Sequence, residues 1–171
     1  MERLVSLLPK RVFAARAGME KAGLDAMLIT YPVNVTWLTD FKSTNATVLL
    51  TKNEGFLLTD FRYIEAAEKN KAGLTPILTD RSFTVFDFIN KVKPKNIGIE
   101  EEYITFSFFK EICEKLNNVS LDSVLAGSSA DDRPYIRPVG NIIKDLRMVK
   151  DEYEKDCLRK AEAIGDEAFT H

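Results

Sequence analysis

Asp60, Arg62 and Tyr63 form the most chemically suggestive cluster in this 171-residue chain, because an Asp–Arg pair beside an aromatic ring can grip a carboxylate or a peptide terminus. A structural role competes with this and is favoured, since the cluster falls where a predicted strand gives way to a helix: Asp60 would cap that helix, and Arg62 and Tyr63 would fasten it to the sheet. Trp37, the single tryptophan, is read either as a rim residue beside a binding site or as part of the sub-core. A second set of acidic residues, Asp25, Asp60, Glu100 and Asp122, flanks predicted strands. Carboxylates that converge on metal ions would suit nuclease chemistry, but acidic residues at strand ends more commonly cap helices or face water. The sole histidine is His171, the last residue, so no imidazole is placed among these groups.

Composition narrows the choice of partner. Twenty-four Lys and Arg against 26 Asp and Glu leave a formal charge of −2, which provides no basic field for nucleic acid or an anionic membrane. No apolar run approaches the ~20 residues of a membrane span. The few apolar residues of Met1–Leu8 are too short for a signal-peptide core, so residence in the cytosol is expected. Cys113 lies on the stripe Phe109, Ile112, Cys113, Leu116, and Cys157 lies on a second stripe. Both read as small buried hydrophobes in a reducing compartment.

The elements that must position these residues follow from periodicity. Pro9 opens a helix with Val12, Ala15, Met19 and Ala22 on one face, and Gly23 suits the left-handed position after it. Ala26–Ile29 is a continuous apolar run of strand length, as in a strand covered on both faces. Thr47–Leu50 and Phe56–Leu58 form a hairpin around Lys52–Gly55, so the sheet is mixed. Helices are expected near 61–70, 83–92 and 105–117, alternating with strands at 76–78, 97–99 and 119–124. That alternation predicts parallel strands joined by crossover helices. From Ala126 the pattern lapses into turn formers, read as a linker over 126–150. Asp151 and Glu154 then make a capping box for a helix with the stripe Tyr153, Cys157, Ala161, Ile164 and Ala168. Its lack of a stop signal suggests a cut within a longer protein.

Four words recur in order: Asn34–Phe41, Thr59–Tyr63, Gly98 with Glu100, and Leu146–Glu154. Together they resemble the N-terminal domain of the creatinase / Xaa-Pro peptidase family, which includes aminopeptidase P and prolidase. Trp37 stands where tyrosine is usual, Asp151 where serine is usual, and Asp40 where glycine is usual; Asp tolerates a positive φ better than most residues. The resemblance implies a three-layer α/β/α, ribonuclease-H-like domain over 1–125, the linker, and over 151–171 the first helix of a pita-bread catalytic domain. That second domain would hold two divalent metals, Mn or Zn, and cleave Xaa-Pro bonds. In this chain the resemblance implies no catalytic residue and no metal ligand. Asn34, Asp60, Glu100, Arg147 and Lys150 become structural motif residues, and Trp37, Arg62 and Tyr63 a substrate rim. The implied role is to assist assembly of a homo-oligomer and to restrict access to short proline-containing peptides, with the catalytic domain as partner and neither nucleic acid nor membrane involved. A creatinase-type amidinohydrolase parent and a non-enzymatic binding module are the alternatives.

Overall fold

A computed structural model describes residues 2–117 and 134–170. Helix α1 (Glu2–Val5) precedes α2 (Leu8–Lys21), which ends before Gly23 at φ +67°. There follow β1 (Ala26–Ile29), α3 (Pro32–Thr39), β2 (Ala46–Thr51) and β3 (Gly55–Thr59). Next come α4 (Ile64–Glu68), β4 (Thr75–Leu78), α5 (Val85–Val92), β5 (Asn96–Glu100) and α6 (Phe106–Ile112), which continues as a π-helical turn over Cys113–Asn117. Strand β6 (Tyr135–Val139), α7 (Ile142–Met148) and α8 (Glu152–Phe169) complete the described chain. The strand expected at 119–124, with Asp122, lies outside the described residues.

The six strands form one sheet in the order β4-β3-β2-β1-β5-β6. Strand β2 runs antiparallel to both β1 and β3, while β3–β4, β1–β5 and β5–β6 pair in parallel, so the sheet is mixed as expected. Both faces are covered. Met27 and Ile29 of β1 pack with Leu8, Val12, Ala15 and Met19 of α2 on one side, while Ala26 and Leu28 pack with Phe88 and Ile89 of α5 and Ile112 of α6 on the other. Alternate residues of each central strand feed opposite cores, which is why these strands read as unbroken apolar runs. Both edge strands carry a proline, Pro76 and Pro138, whose missing N–H is tolerated where one side of the strand is unpaired.

Three expectations need correction. The stretch 126–150 is not a plain linker, since its described part supplies β6, paired with β5 from Tyr135 to Val139, and α7, whose Ile143 is buried. Helix α7 packs so closely on α2 that a Cβ on Gly18 would stand 2.6 Å from Ile142 Cγ2. Cys157 is exposed rather than buried, because no residue of α8 is buried; Cys113 is buried as expected. Residues 32–39, to which periodicity assigns no element, form α3. Pro32 sits in its first turn, and Asp40 ends it at φ 55° with its N–H donated to the Thr36 carbonyl at 2.7 Å. The position does require a positive φ, and Asp supplies it.

Candidate functional site

Strands β1, β3, β4, β5 and β6 point the same way, so their C-terminal ends share one edge of the sheet, where ligand sites of α/β sheets usually lie. Three of the four motif words meet there. Glu100, at the end of β5 and only 5 % exposed, accepts from the backbone N–H groups of Thr30 at 2.7 Å and Tyr31 at 2.8 Å, and from Asn34 Nδ2 at 2.5 Å. The other face of the Asn34 amide, Oδ1, accepts from Arg147 Nη1 at 2.8 Å. Asn34 therefore relays between a carboxylate and a guanidinium, and this fixes which way its amide points. The carboxylate's desolvation is offset by three donors rather than by a direct ion pair.

A second network adjoins the first. Arg11 donates to the Trp37 carbonyl at 2.7 Å and to Asp151 Oδ2 at 2.7 Å, lies 3.4 Å from Glu154 Oε1, and stacks over the Trp37 ring at 4.7 Å. The Trp37 indole N–H donates to Glu154 Oε1 at 2.9 Å. Burial works against ionisation of Asp151, but the hydrogen bond from Arg11 and those from the backbone outweigh it and hold its carboxyl below the ordinary value. Arg11 is absent from the expected site residues. The signal was available: Leu8, Arg11, Val12 and Ala15 follow i, i+3, i+4, i+7, so a charged residue occupies a place on an apolar stripe and is 8 % exposed.

The Asp60 cluster is built differently from expectation. Asp60 does not cap α4, whose N-cap residue is Tyr63 and carries no side-chain cap. Instead its carboxylate accepts from the Arg62 backbone N–H at 3.0 Å, from the Arg62 guanidinium at 2.6 Å and from Asn45 Nδ2 at 2.7 Å, bracing a turn ahead of the helix. Arg62 stays exposed and lies over the Tyr63 ring, so it does not fasten the helix to the sheet. Tyr63 ties the start of the helix to the segment between α3 and β2: its ring packs edge-on against Phe41, and its hydroxyl lies 3.1 Å from Thr44 Oγ1. The threonines of the motif words tie the backbone as well, Thr39 Oγ1 donating to the Val35 carbonyl at 2.7 Å and Thr59 Oγ1 to that of Asn45 at 2.6 Å. Lys150, also exposed, donates to the Arg147 and Met148 carbonyls at the end of α7.

The pairing with Arg62, helped by Asn45, lowers the Asp60 pKa far below the usual carboxylate range. A depressed folded-state pKa contributes stability that is full above the unfolded value and is lost as pH falls towards the folded one. Asp60→Asn should therefore lower the melting temperature at pH 6, and the gap from the parent protein should narrow as pH drops below 3.8, the ordinary value. Thermal melts of both proteins from pH 6 to pH 2.5 check this; a gap that is constant with pH would contradict it.

The described acidic residues of that set, Asp25, Asp60 and Glu100, do not converge. Asp60 and Glu100 end strands separated by β2 and β1, three strand spacings or about 14 Å. Asp25 lies at the opposite end of the sheet, its carboxyl held below the ordinary value by Lys52, 2.5 Å away, and by Asn96. Among the described residues, no three His, Cys, Asp or Glu side chains are grouped so as to hold a metal ion. The described residues therefore offer no ligand set for the two-metal centre that the resemblance implies for a second domain. No described helix is long and apolar enough to cross a membrane.

Fold and site define an α/β domain whose signature side chains are engaged with one another. The Creatinase/Prolidase N-terminal domain model matches residues 11–149, and the chain belongs to that family. The chain is similar to the uncharacterized peptidase YqhT of Bacillus subtilis strain 168, 26% identical over 151 residues that cover 87% of this chain and 38% of that protein. Its fold is similar to that of an Xaa-Pro dipeptidase from Bacillus anthracis, with a TM-score of 0.79 at 23% identity over 96% of this chain and 42% of that one. An Xaa-Pro aminopeptidase, aminopeptidase P, from Streptococcus thermophilus gives a TM-score of 0.65 at 27% identity, covering 82% of this chain and 98% of that one. The chain spans well under half the length of the curated relatives it matches.

Proposed function

We propose that this chain is the non-catalytic N-terminal domain of a metal-dependent Xaa-Pro aminopeptidase or dipeptidase, one that assists subunit assembly and restricts access to short proline-containing peptides. The observation that carries this reading is the use made of the signature residues: Asn34, Glu100, Arg147 and Asp151 all have partners within the chain, and the networks they form hold the place where α8 joins the domain. Residues built for turnover would instead leave their reactive atoms open to a substrate. Trp37, with Val33 and Pro32, lines an open groove of about 450 Å³ beside Arg147 and Lys150, and this groove is the surface we assign to the substrate rim. Arg62 and Tyr63 have their partners elsewhere, in Asp60 and Thr44, and contribute to the rim only if a second subunit meets that edge. Two free thiols, Cys113 and Cys157, agree with a reducing cytosolic setting.

Sequencing the gene past the codon for His171 tests this reading. Two Asp, one His and two Glu ligands with a pocket for proline would support a peptidase, since such ligands would hold divalent cations able to supply an activated water for hydrolysis. A guanidinium-binding carboxylate beside the same ligands would shift the assignment to an amidinohydrolase. Absent ligands, or a stop codon at that point, would overturn the enzymatic parent.

A further inference from the structure

We infer that Arg11 and Trp37 form a joint that sets the direction in which α8 leaves the domain. Among the described residues little packing guides it: α8 is 18 residues long and none of them is fully buried, Tyr153, Glu154 and Asp156 near its start are half-buried, and Leu158 at 56%, Ile164 at 70% and Phe169 at 95% exposure stand clear. A rod of that length extends about 27 Å from its start. The described contacts between α8 and the domain gather at its N-terminal turn, and the atoms there have an unusual division of labour.

Asp151 and Glu154 form a reciprocal capping box. Asp151 Oδ1 accepts from the Glu154 N–H at 2.8 Å, and Glu154 Oε2 accepts from the Asp151 N–H at 3.0 Å. One oxygen of each carboxylate thus starts the helix, and the other faces the domain: Asp151 Oδ2 takes the Arg11 guanidinium, and Glu154 Oε1 takes the Trp37 indole N–H. Starting the helix and docking it therefore use the same two side chains. A single tether would fix only the position of the helix end, but two tethers on one turn fix its orientation as well. The receiving side is rigid. Arg11 is held by the Trp37 carbonyl and stacked on the Trp37 ring, so guanidinium and indole present their donors as one unit. Its charge meets two carboxylates in a half-buried setting, where ion pairs are screened less than on an open surface. The joint stands on this geometry alone. That α8 carries a catalytic domain, and that the joint therefore places that domain, rests on the function proposed above.

Energy transfer along the full 171-residue chain reads the direction of α8. Trp37 is the only tryptophan and Phe169, 95% exposed, stands at the far end of the rod, so a naphthalenesulfonate acceptor on the cysteine of Phe169→Cys in a Cys157→Ser background reports transfer across the joint, Cys113 being buried. In that background Arg11→Met should change the transfer efficiency by about half or more and, in unlabelled protein, speed amide exchange at residues 152–156 about tenfold, while exchange in β1 and β5 is unchanged. Arg11→Lys keeps the charge but loses the fork and should fall between the two. Trp37 is needed as the donor, so its indole contact is tested from the other side by Asp151→Asn with Glu154→Gln. That variant keeps side chains able to cap while removing both anions and should repeat the Arg11→Met result; it also serves if Arg11→Met fails to fold. Unchanged transfer and unchanged exchange in the folded variants would overturn the joint. Either outcome is independent of what the gene encodes past His171, so the joint and the peptidase reading can fail separately.

Discussion

Glu100→Ala should lower stability by about 3 kcal/mol, a drop of roughly 6–12 °C in melting temperature for a chain of this size. The side chain is 5 % exposed and is the shared acceptor for Thr30 N–H, Tyr31 N–H and Asn34 Nδ2. Truncation leaves three donors facing one another around a small void, and each buried donor without a partner costs more than the net value of the bond it made. The loss also reaches α7, because Asn34 freed from Glu100 no longer holds its amide towards Arg147. Glu100→Gln, which keeps one acceptor oxygen, should lose markedly less. Thermal and urea unfolding of both variants check the order. A Glu100→Ala protein as stable as its parent would mean that the carboxylate is held for a ligand instead of for the fold.

The glycine of the same word should prove equally intolerant, for a steric reason. A Cβ on Gly98 would stand 2.5 Å from Leu24 Cδ1 and 3.1 Å from Val139 Cγ2. Leu24 is 0 % exposed, so its methyl has little room to retreat. Gly98→Ala should cost about 1–3 kcal/mol by overpacking. Leu24→Ala alone should cost about 2–5 kcal/mol through the cavity it opens. In the double variant the new methyl occupies part of that cavity, so the combined loss should fall short of the sum by at least about 1 kcal/mol. Strict additivity in the four unfolding free energies would show that Gly98 is needed for something other than this close approach.

These two residues show how far the sequence could be read. Gly98 and Glu100 stand out as a word, and β5 is legible from the apolar run Ile97–Ile99, yet nothing local says that Glu100 turns inward onto Asn34, a partner 66 positions away. Strands whose residues feed both cores declare themselves as unbroken apolar runs, and helices with an apolar stripe such as α2 and α5 through period. Strand β6 does not: Tyr135, Arg137 and Pro138 make a poor strand in isolation, and only pairing along β5 selects it. Helix α3 hides for a related reason. Its apolar residues do not gather on one face, because Asn34 and Thr39 are buried along with Val35 and Leu38. Asp60 was not legible as a turn brace, since an Asp before a helix reads the same whether it caps the helix or grips Arg62. Arg11 was legible in principle, as the one charge on the buried stripe of α2.

The measurement that bears most directly on the central claim, that this domain's signature residues build a scaffold and perform no catalysis, is a peptidase assay of the 171-residue chain with Mn²⁺ or Zn²⁺ and an Xaa-Pro peptide. No release of the N-terminal residue above the buffer rate is expected, because nothing among the described residues gathers the ligands for the paired metals that would activate a water. Turnover that follows the chain through successive purification steps and rises in proportion to its concentration would contradict it.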